Sequence, residues 1–166
     1  MINLRLIRIN IIMKHFDDPN MGNGFYVESG DDFLTVQFLV DQTHIAVVES
    51  EMRYGYKHMF DSCLTVEAYN EIFPNDSYLY ILGFHVNKKF RGKGIGGKTL
   101  RRYFEEYSKT ELNNHPIVLL AVPEHNTISQ TELISVYEHF GFQVLHENLM
   151  VLTPLDLSEL EYVEEE

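Results

Sequence analysis

Residues 91–99, Arg-Gly-Lys-Gly-Ile-Gly-Gly-Lys-Thr, carry the densest chemistry in the chain. Gly92, Gly94 and Gly97 fit GxGxxG, the dinucleotide fingerprint. Gly92 through Thr99 fits GxxxxGK[ST], the P-loop. Arg91, Gly94 and Gly96 fit a third phosphate-loop pattern, RxxGxG. All three use one device. Glycines let backbone amides converge on phosphate oxygens, and the helix that follows offers its positive end. Each charge-assisted bond of this kind is worth about 1.5–3 kcal/mol. The chemistry says that a phosphate belongs here and does not choose its owner.

Context separates the patterns. In dinucleotide and P-loop folds the first glycine follows its strand almost directly, and several strands come after it. Here residues 87–91 stand between Val86 and Gly92, and only 67 residues follow Thr99. Glu124 could pose as a Walker B acid, but Pro123 intervenes. Both nucleotide readings are disfavoured, and a purely structural glycine turn is the bland competitor. Charge adds to this. Seven of the thirteen Lys and Arg lie between residues 88 and 102, where no acid falls, while all 25 acids lie elsewhere and the net charge is −12. An acidic exterior disfavours general DNA or RNA binding. A compact basic island in an acidic chain suits a small polyanion, although its later residues also suit an exposed helix face.

The elements that must position this loop follow from patterning. Residues 78–86 (YLYILGFHV) form a continuous apolar run, as in a central strand. Residues 95–112 show helical spacing, ended by Asn113, Asn114 and Pro116. Residues 117–122 (IVLLAV) read as a second buried strand. Residues 132–140 read as a helix stopped by Gly141, with closing strands at 142–145 and 149–152. Earlier in the chain, residues 4–8 read as a first strand and 17–30 mainly as loop. Residues 33–40 and 44–48 read as an antiparallel hairpin, and 66–73 as a short helix stopped by Pro74. The expected domain is residues 1–155, followed by an acidic tail over 156–166.

Bulk properties set the class. At 166 residues, 45% apolar and 23% charged, the chain suits one globular domain and excludes wholesale disorder. No apolar run approaches the roughly 18 residues of a membrane span. Residues 2–12 carry Arg5, Arg8 and two Asn, so a signal peptide is not expected. The single cysteine, Cys63, excludes an intramolecular disulfide and any CxxC site. The histidines show no HExxH or other paired spacing, so no metal is expected. The expectation is a cytoplasmic protein with no membrane or nucleic-acid partner.

Three separate pieces, in order, carry a more specific resemblance: ILGFHVNKKFRGKGIGGKTL, then IVLLAV, then LISVYEHFGFQVL. Residues 78–152 resemble the GNAT superfamily of acyl-CoA N-acyltransferases. The resemblance implies a mixed α/β fold: a central sheet of about six or seven strands flanked by helices, whose central parallel strands splay apart. Acetyl-CoA would be the co-substrate. Its pantetheine arm would pair with the strand edge at Phe84, His85 and Val86. Its pyrophosphate would sit on Arg91, Gly92, Lys93, Gly94, Ile95, Gly96 and Gly97. An asparagine commonly precedes the helix tyrosine by seven residues in this family; Gln130 stands there in this chain, and Asn126 lies further back. Either Asn126 still reaches the cofactor or Gln130 substitutes. Many members dimerise, and the C-terminal strands offer a contact, so a homodimer stays open.

The same resemblance implies direct attack by an amine in a ternary complex. An alkyl ammonium must lose a proton before attacking, and the departing thiolate must gain one. Tyr137 would protonate the thiolate; on its helix alone it would read as core packing. The strand amide near Val86 would polarise the thioester carbonyl. For the base, His85 lies on the strand beside the expected acyl group and faces opposite to Phe84 and Val86. Glu49, Glu51 and a water chain are rivals. The acidic exterior favours a cationic acceptor, either a small amine or a protein amino group. Two regions depart from the family: the helical segment between the first strands looks shortened, and residues 51–76 look long. The alternative is a non-catalytic member that binds an acyl-CoA or only a protein partner; a nucleotide-binding protein is the third reading.

Overall fold

The computed structural model describes residues 13–18, 23–56, 59–123, 128–155 and 157. The strand expected at residues 4–8 and the tail beyond 157 lie outside these residues, as does Asn126. Eight strands form one sheet in the order β1-β2-β3-β4-β5-β6-β8-β7. They are β1 (Met13–Asp18), β2 (Asn23–Ser29), β3 (Phe33–Val40), β4 (Thr43–Tyr54), β5 (Ser77–Val86), β6 (Ile117–Leu120), β7 (Gln143–His146) and β8 (Leu149–Leu152). The helices are α1 (Val66–Ile72), α2 (Ile95–Lys109) and α3 (Gln130–His139). This is the expected mixed architecture, with one strand more than the upper count.

Two strands fall where none is expected: β1 begins beyond residues 4–8 and runs into the expected loop 17–30, and β2 lies wholly within that loop. Residues 23–29 pair with β3 from Gly24 opposite Leu39 to Ser29 opposite Leu34. Their Asn and Gly content reads as turn, but Phe25 and Val27 alternate onto the core face, and burial of that face outweighs local preference. The β3–β4 hairpin closes through Asp41 and Gln42, both at positive φ (49° and 65°). Two such residues in succession match the strand twist in a two-residue hairpin turn. The Asn23 Oδ1 accepts from the Asp41 N–H at 2.6 Å and ties the turn to β2.

Caps set the helix starts. Thr65 accepts from the Ala68 N–H at 3.1 Å and begins α1, which ends just ahead of Pro74. Ser129 accepts from the Glu132 N–H at 3.1 Å and begins α3 two residues before the expected start. Helix α2 ends at Lys109, and residues 111–114 continue as a separate 3₁₀ turn.

Two cores flank the sheet. On one face α2 and α3 cover Leu34, Val36, Val48, Leu79, Ile81, Ile117 and Leu119. On the other, α1 and residues 59–64 bury an aromatic cluster of Phe60, Tyr69, Phe73 and Tyr78 against Val118 and Val151. No helix among the described residues is long and apolar enough to cross a membrane.

Among the described residues the only parallel pairing is β5 with β6, and it is short: Leu79 with Ile117 and Tyr80 with Val118. The closed end is held by Leu79 N–H to Pro116 C=O at 2.9 Å and by Ser77 Oγ to His115 Nδ1 at 2.8 Å. Beyond Tyr80, β5 runs on to Val86 while β6 stops at Leu120, four residues along. The Ala121 N–H then bonds the Asn148 carbonyl at 2.8 Å and draws the chain toward β8. The expected strand 117–122 is cut short for this reason. The two central strands splay, and a gap opens between them.

Candidate active site

The gap is shaped first by a fault in the β4–β5 ladder. Glu49 pairs with Gly83, but Ser50 pairs with Ile81, so Leu82 is an inserted residue. Before the insertion Leu79 and Ile81 face α2; after it Phe84 and Val86 do. His85 therefore points to the opposite face, as alternation predicted, and is exposed.

After Val86 a 3₁₀ turn (Lys88–Phe90) carries the chain to the glycine loop. Asn87 accepts from the Lys89 N–H at 3.1 Å, and its own N–H bonds the Ile45 carbonyl at 2.6 Å. Arg91 turns back, its Nε donating to the Val86 carbonyl at 2.9 Å. Among the described residues its buried Nη1 has no hydrogen-bond partner. Gly92 and Gly94 take left-handed φ values of 77° and 76°, which only glycine adopts without strain. Gly94 is the N-cap of α2 and brings no side chain to the role. The first intrahelical bond runs from the Lys98 N–H to Gly94 at 3.2 Å, so the amides of Ile95, Gly96 and Gly97 precede the helical ladder. Gly96 serves packing: a Cβ there would sit 3.1 Å from Phe84 Cζ and 3.2 Å from Val86 Cγ2. The helix start lies directly against β5.

Between β5, this loop and α3 lies a cavity of about 430 Å³. Phe84, Val86, Arg91, Gly92, Gly94, Ile95, Gly96 and Gly97 line it, as does Tyr137. The loop and the helix tyrosine, about forty residues apart in the chain, thus share one wall. Tyr137 is 5% exposed and stacks edge-on with Phe142 at 5.7 Å. Lys93 stays outside, with its Nζ 5.4 Å from the Phe90 ring centre. Gln130 is the exposed first residue of α3 and does not line the cavity. Glu49 is exposed on the same face of the sheet as His85, and Glu51 is held by Arg53 at 3.1 Å.

Sequence reasoning missed the apolar wall. Leu133 and Val136 line the cavity beside Tyr137, at a helical spacing that could have flagged them. Val122 and Pro123, which the sequence suggests as strand and turn, line it as well. The Leu82 insertion left no signal except Gly83.

The geometry also decides between the phosphate patterns. A P-loop needs its terminal threonine hydroxyl available to a metal–phosphate group. Thr99 is 0% exposed, and its Oγ1 donates to the Ile95 carbonyl at 2.8 Å. The dinucleotide pattern needs the glycines directly off the strand, where this chain has a 3₁₀ turn. Of the basic island, Arg102 is engaged with Glu106 at 2.8 Å. Lys88, Lys89, Lys93, Lys98 and Arg101 remain exposed around the loop and the first turns of α2.

An uncharacterized protein of Saccharomyces cerevisiae, YDR391C, is 39% identical over 74 residues, or 44% of this chain and 28% of that protein. This chain thus matches little more than a quarter of that relative's length. Among solved structures, Arabidopsis thaliana NAA60 in complex with acetyl-CoA superposes with a TM-score of 0.49 at 12% identity, covering 73% of this chain and 74% of that one. The anti-CRISPR protein AcrVA5 superposes with a TM-score of 0.42 at 17% identity, covering 64% of this chain and 88% of that one. Residues 26–142 match the sequence profile of the Acetyltransferase (GNAT) family. That match takes in the bulged strand, the glycine loop, α2, the splayed partner strand and the tyrosine of α3, and on it the chain belongs to the GNAT acetyltransferase family.

Proposed function

We propose that this protein transfers an acetyl group from acetyl-CoA to a primary amine, either a small cationic amine or a protein amino group. One observation carries the reading: Arg91 lines the cavity and its buried Nη1 has no partner among the described residues, beside helix-start amides that no side chain caps. An unsatisfied buried donor costs about 1–3 kcal/mol, which a diphosphate oxygen would recover. The donor set is cationic and N–H rich, so it fits the pyrophosphate of CoA. The apolar remainder of the cavity fits an acyl-pantetheine arm along Phe84 and Val86.

In this reading the amine nitrogen forms a bond to the thioester carbon and the carbon–sulfur bond breaks. One proton leaves the amine and one reaches the thiolate, giving amide and free CoA. Tyr137, at the cavity wall, is the group proposed to protonate the sulfur. The amine would come from the other face of the sheet through the gap between β5 and β6. His85 and Glu49 stand on that face, His85 opposite Val47 and Glu49 opposite Gly83. His85 is the proposed proton acceptor, and the carboxylate of Glu49 would favour a cationic approach. Lys93 and the rest of the exposed basic island would draw in the polyanionic donor, and the site is cytoplasmic in this account. Asn126, which lies outside the described residues, and Gln130, exposed at the start of α3, are the two candidates for a supporting polar contact to the donor.

The test is turnover. Purified protein is mixed with acetyl-CoA and a panel of polyamines, lysine esters and peptides with free N-termini, and free thiol is measured. Amine-dependent thiol release with the matching acetylated product supports the reading. Acetyl-CoA binding with no turnover on any amine would leave the non-catalytic alternative.

A further inference from the structure

Strand β5 changes, partway along, which of its side chains face α2. Leu79 and Ile81 do so before the inserted Leu82, and Phe84 and Val86 do so after it. Strand side chains alternate with a period of two. Erasing the insertion would therefore turn Gly83 and His85 into the cavity and Phe84 and Val86 out of it. The cavity wall exists only in the bulged register. Leu82 stays 49% exposed in that register, so its own burial does not hold it there.

Opposite the insertion stands Ser50, 2% exposed. Its hydroxyl donates to the Leu34 carbonyl at 2.8 Å and accepts from the Tyr103 hydroxyl at 2.7 Å. Tyr103 is wholly buried on α2, seven residues or two turns beyond Gly96. Burial raises its pKa, so the phenol remains a donor at any ordinary pH. Helix α2 thus meets the sheet at two points. Gly96 touches Phe84 and Val86, and Tyr103 bonds Ser50 beside the bulge. Packing alone does not call for this pair, because two apolar side chains could fill the space with no hydroxyl to satisfy.

We propose that Tyr103 and Ser50 are positioning residues that lock the Leu82 bulge, and through it set Phe84 and Val86 as the wall for the acyl-CoA substrate. Only the ligand's identity rests on the proposed function; the effect on β5 does not.

The experiment compares Tyr103→Phe, Ser50→Ala and the double variant. Tyr69→Phe, which loses a 2.7 Å bond to Asp76 in the second core, is the control. Two quantities are read: hydrogen exchange of the amides at residues 82–86 without ligand, and the Kd for acetyl-CoA. Ser50→Ala strands the buried phenol and should act most, raising both by about tenfold. Tyr103→Phe leaves Ser50 its bond to Leu34 and should raise both by about three- to fivefold. The double variant removes the stranded hydroxyl and should fall back toward the Tyr103→Phe level. Tyr69→Phe should lower Tm and move neither quantity. If Tm falls across the series while β5 exchange and Kd stay within about twofold of wild type, the pair only supports the core and the proposal is overturned. Losses that add in the double variant also overturn it. If wild type itself fails to bind acetyl-CoA, the proposed function falls, and β5 exchange still decides this inference.

Discussion

Replacing Arg91 with Met should separate the nucleotide end of the donor from its acyl end. Among the described residues the guanidinium bonds the Val86 carbonyl through Nε at 2.9 Å, and its buried Nη1 has no partner. Losing the bond costs about 0.5–1.5 kcal/mol, and removing the orphan returns a similar amount. The two nearly cancel, so Tm should move little. Acetyl-CoA binding has no such compensation. A charge-assisted contact of about 1.5–3 kcal/mol disappears, which is a rise in Kd of roughly 10- to 150-fold. Acetyl-pantetheine, which lacks the diphosphate, should bind wild type and Arg91→Met within about threefold of each other. Arg91→Lys should fall between, since it keeps the charge and loses the planar fork. Calorimetry with both ligands reads all of this. A Kd for acetyl-CoA that stays within threefold of wild type would show that Arg91 does not hold the diphosphate, as would an equal loss for acetyl-pantetheine.

Other consequences are as direct. Gly96→Ala places a methyl 3.1 Å from Phe84 and 3.2 Å from Val86, so a helix-propensity gain of about 1 kcal/mol meets overpacking of about 1–3 kcal/mol. Tm should hold or fall slightly while acetyl-CoA affinity falls several-fold, as titration calorimetry would show. Tyr137→Phe should lower kcat by about 10²-fold or more with acetyl-CoA affinity kept, because the ring stays and the hydroxyl proposed to protonate the sulfur is removed; stopped-flow thiol release measures it. Burial lowers the pKa of His115. The unfolded chain therefore takes up this proton first, near pH 6.5. The stability contribution is full above that pH and is lost as pH falls through the lower folded value. His115→Gln should show a flatter fall in Tm between about pH 7 and 5.5 than wild type. Cys63 is buried, and burial pushes its thiol pKa up. It should resist a disulfide reagent at pH 8 in the folded protein and react at once in denaturant.

The second half of the chain was legible because several independent signals coincide there. The apolar run at 78–86, the glycine loop, the helical spacing after it and Gly141 each agree with the observed elements. The hairpin at Asp41 and the stop at Pro74 were equally local. What escaped is nonlocal. Strand β2 hides behind Asn and Gly because its reason to be extended is the partner strand β3. Strand β4 continues through Arg53 and Tyr54 because β5 extends opposite it as far as Ser77. The site shows the same division. Glycine positions can be read from one stretch, since left-handed φ is a property of single residues. The inserted Leu82, the Tyr103–Ser50 bond across 53 residues and the unpartnered Arg91 nitrogen depend on elements meeting in space. Gln130 illustrates the limit of counting back from a tyrosine: Ser129 caps the helix, which places Gln130 on its exposed first turn.

We propose that the loop at the start of α2 takes the diphosphate of acetyl-CoA. The most direct test is calorimetric titration of acetyl-CoA, CoA, ATP with magnesium, and NAD into wild type and Gly94→Glu. Gly94 sits at φ 76° with nothing within 4 Å of a would-be Cβ, so the new side chain enters open space, at a backbone cost of about 1–2 kcal/mol. Its carboxylate would stand among the amides that await an anion. Acetyl-CoA and CoA should bind wild type with micromolar affinity that is lost in the variant, with ATP and NAD far weaker. Absence of CoA binding, preference for ATP with magnesium, or equal affinity in Gly94→Glu would contradict it.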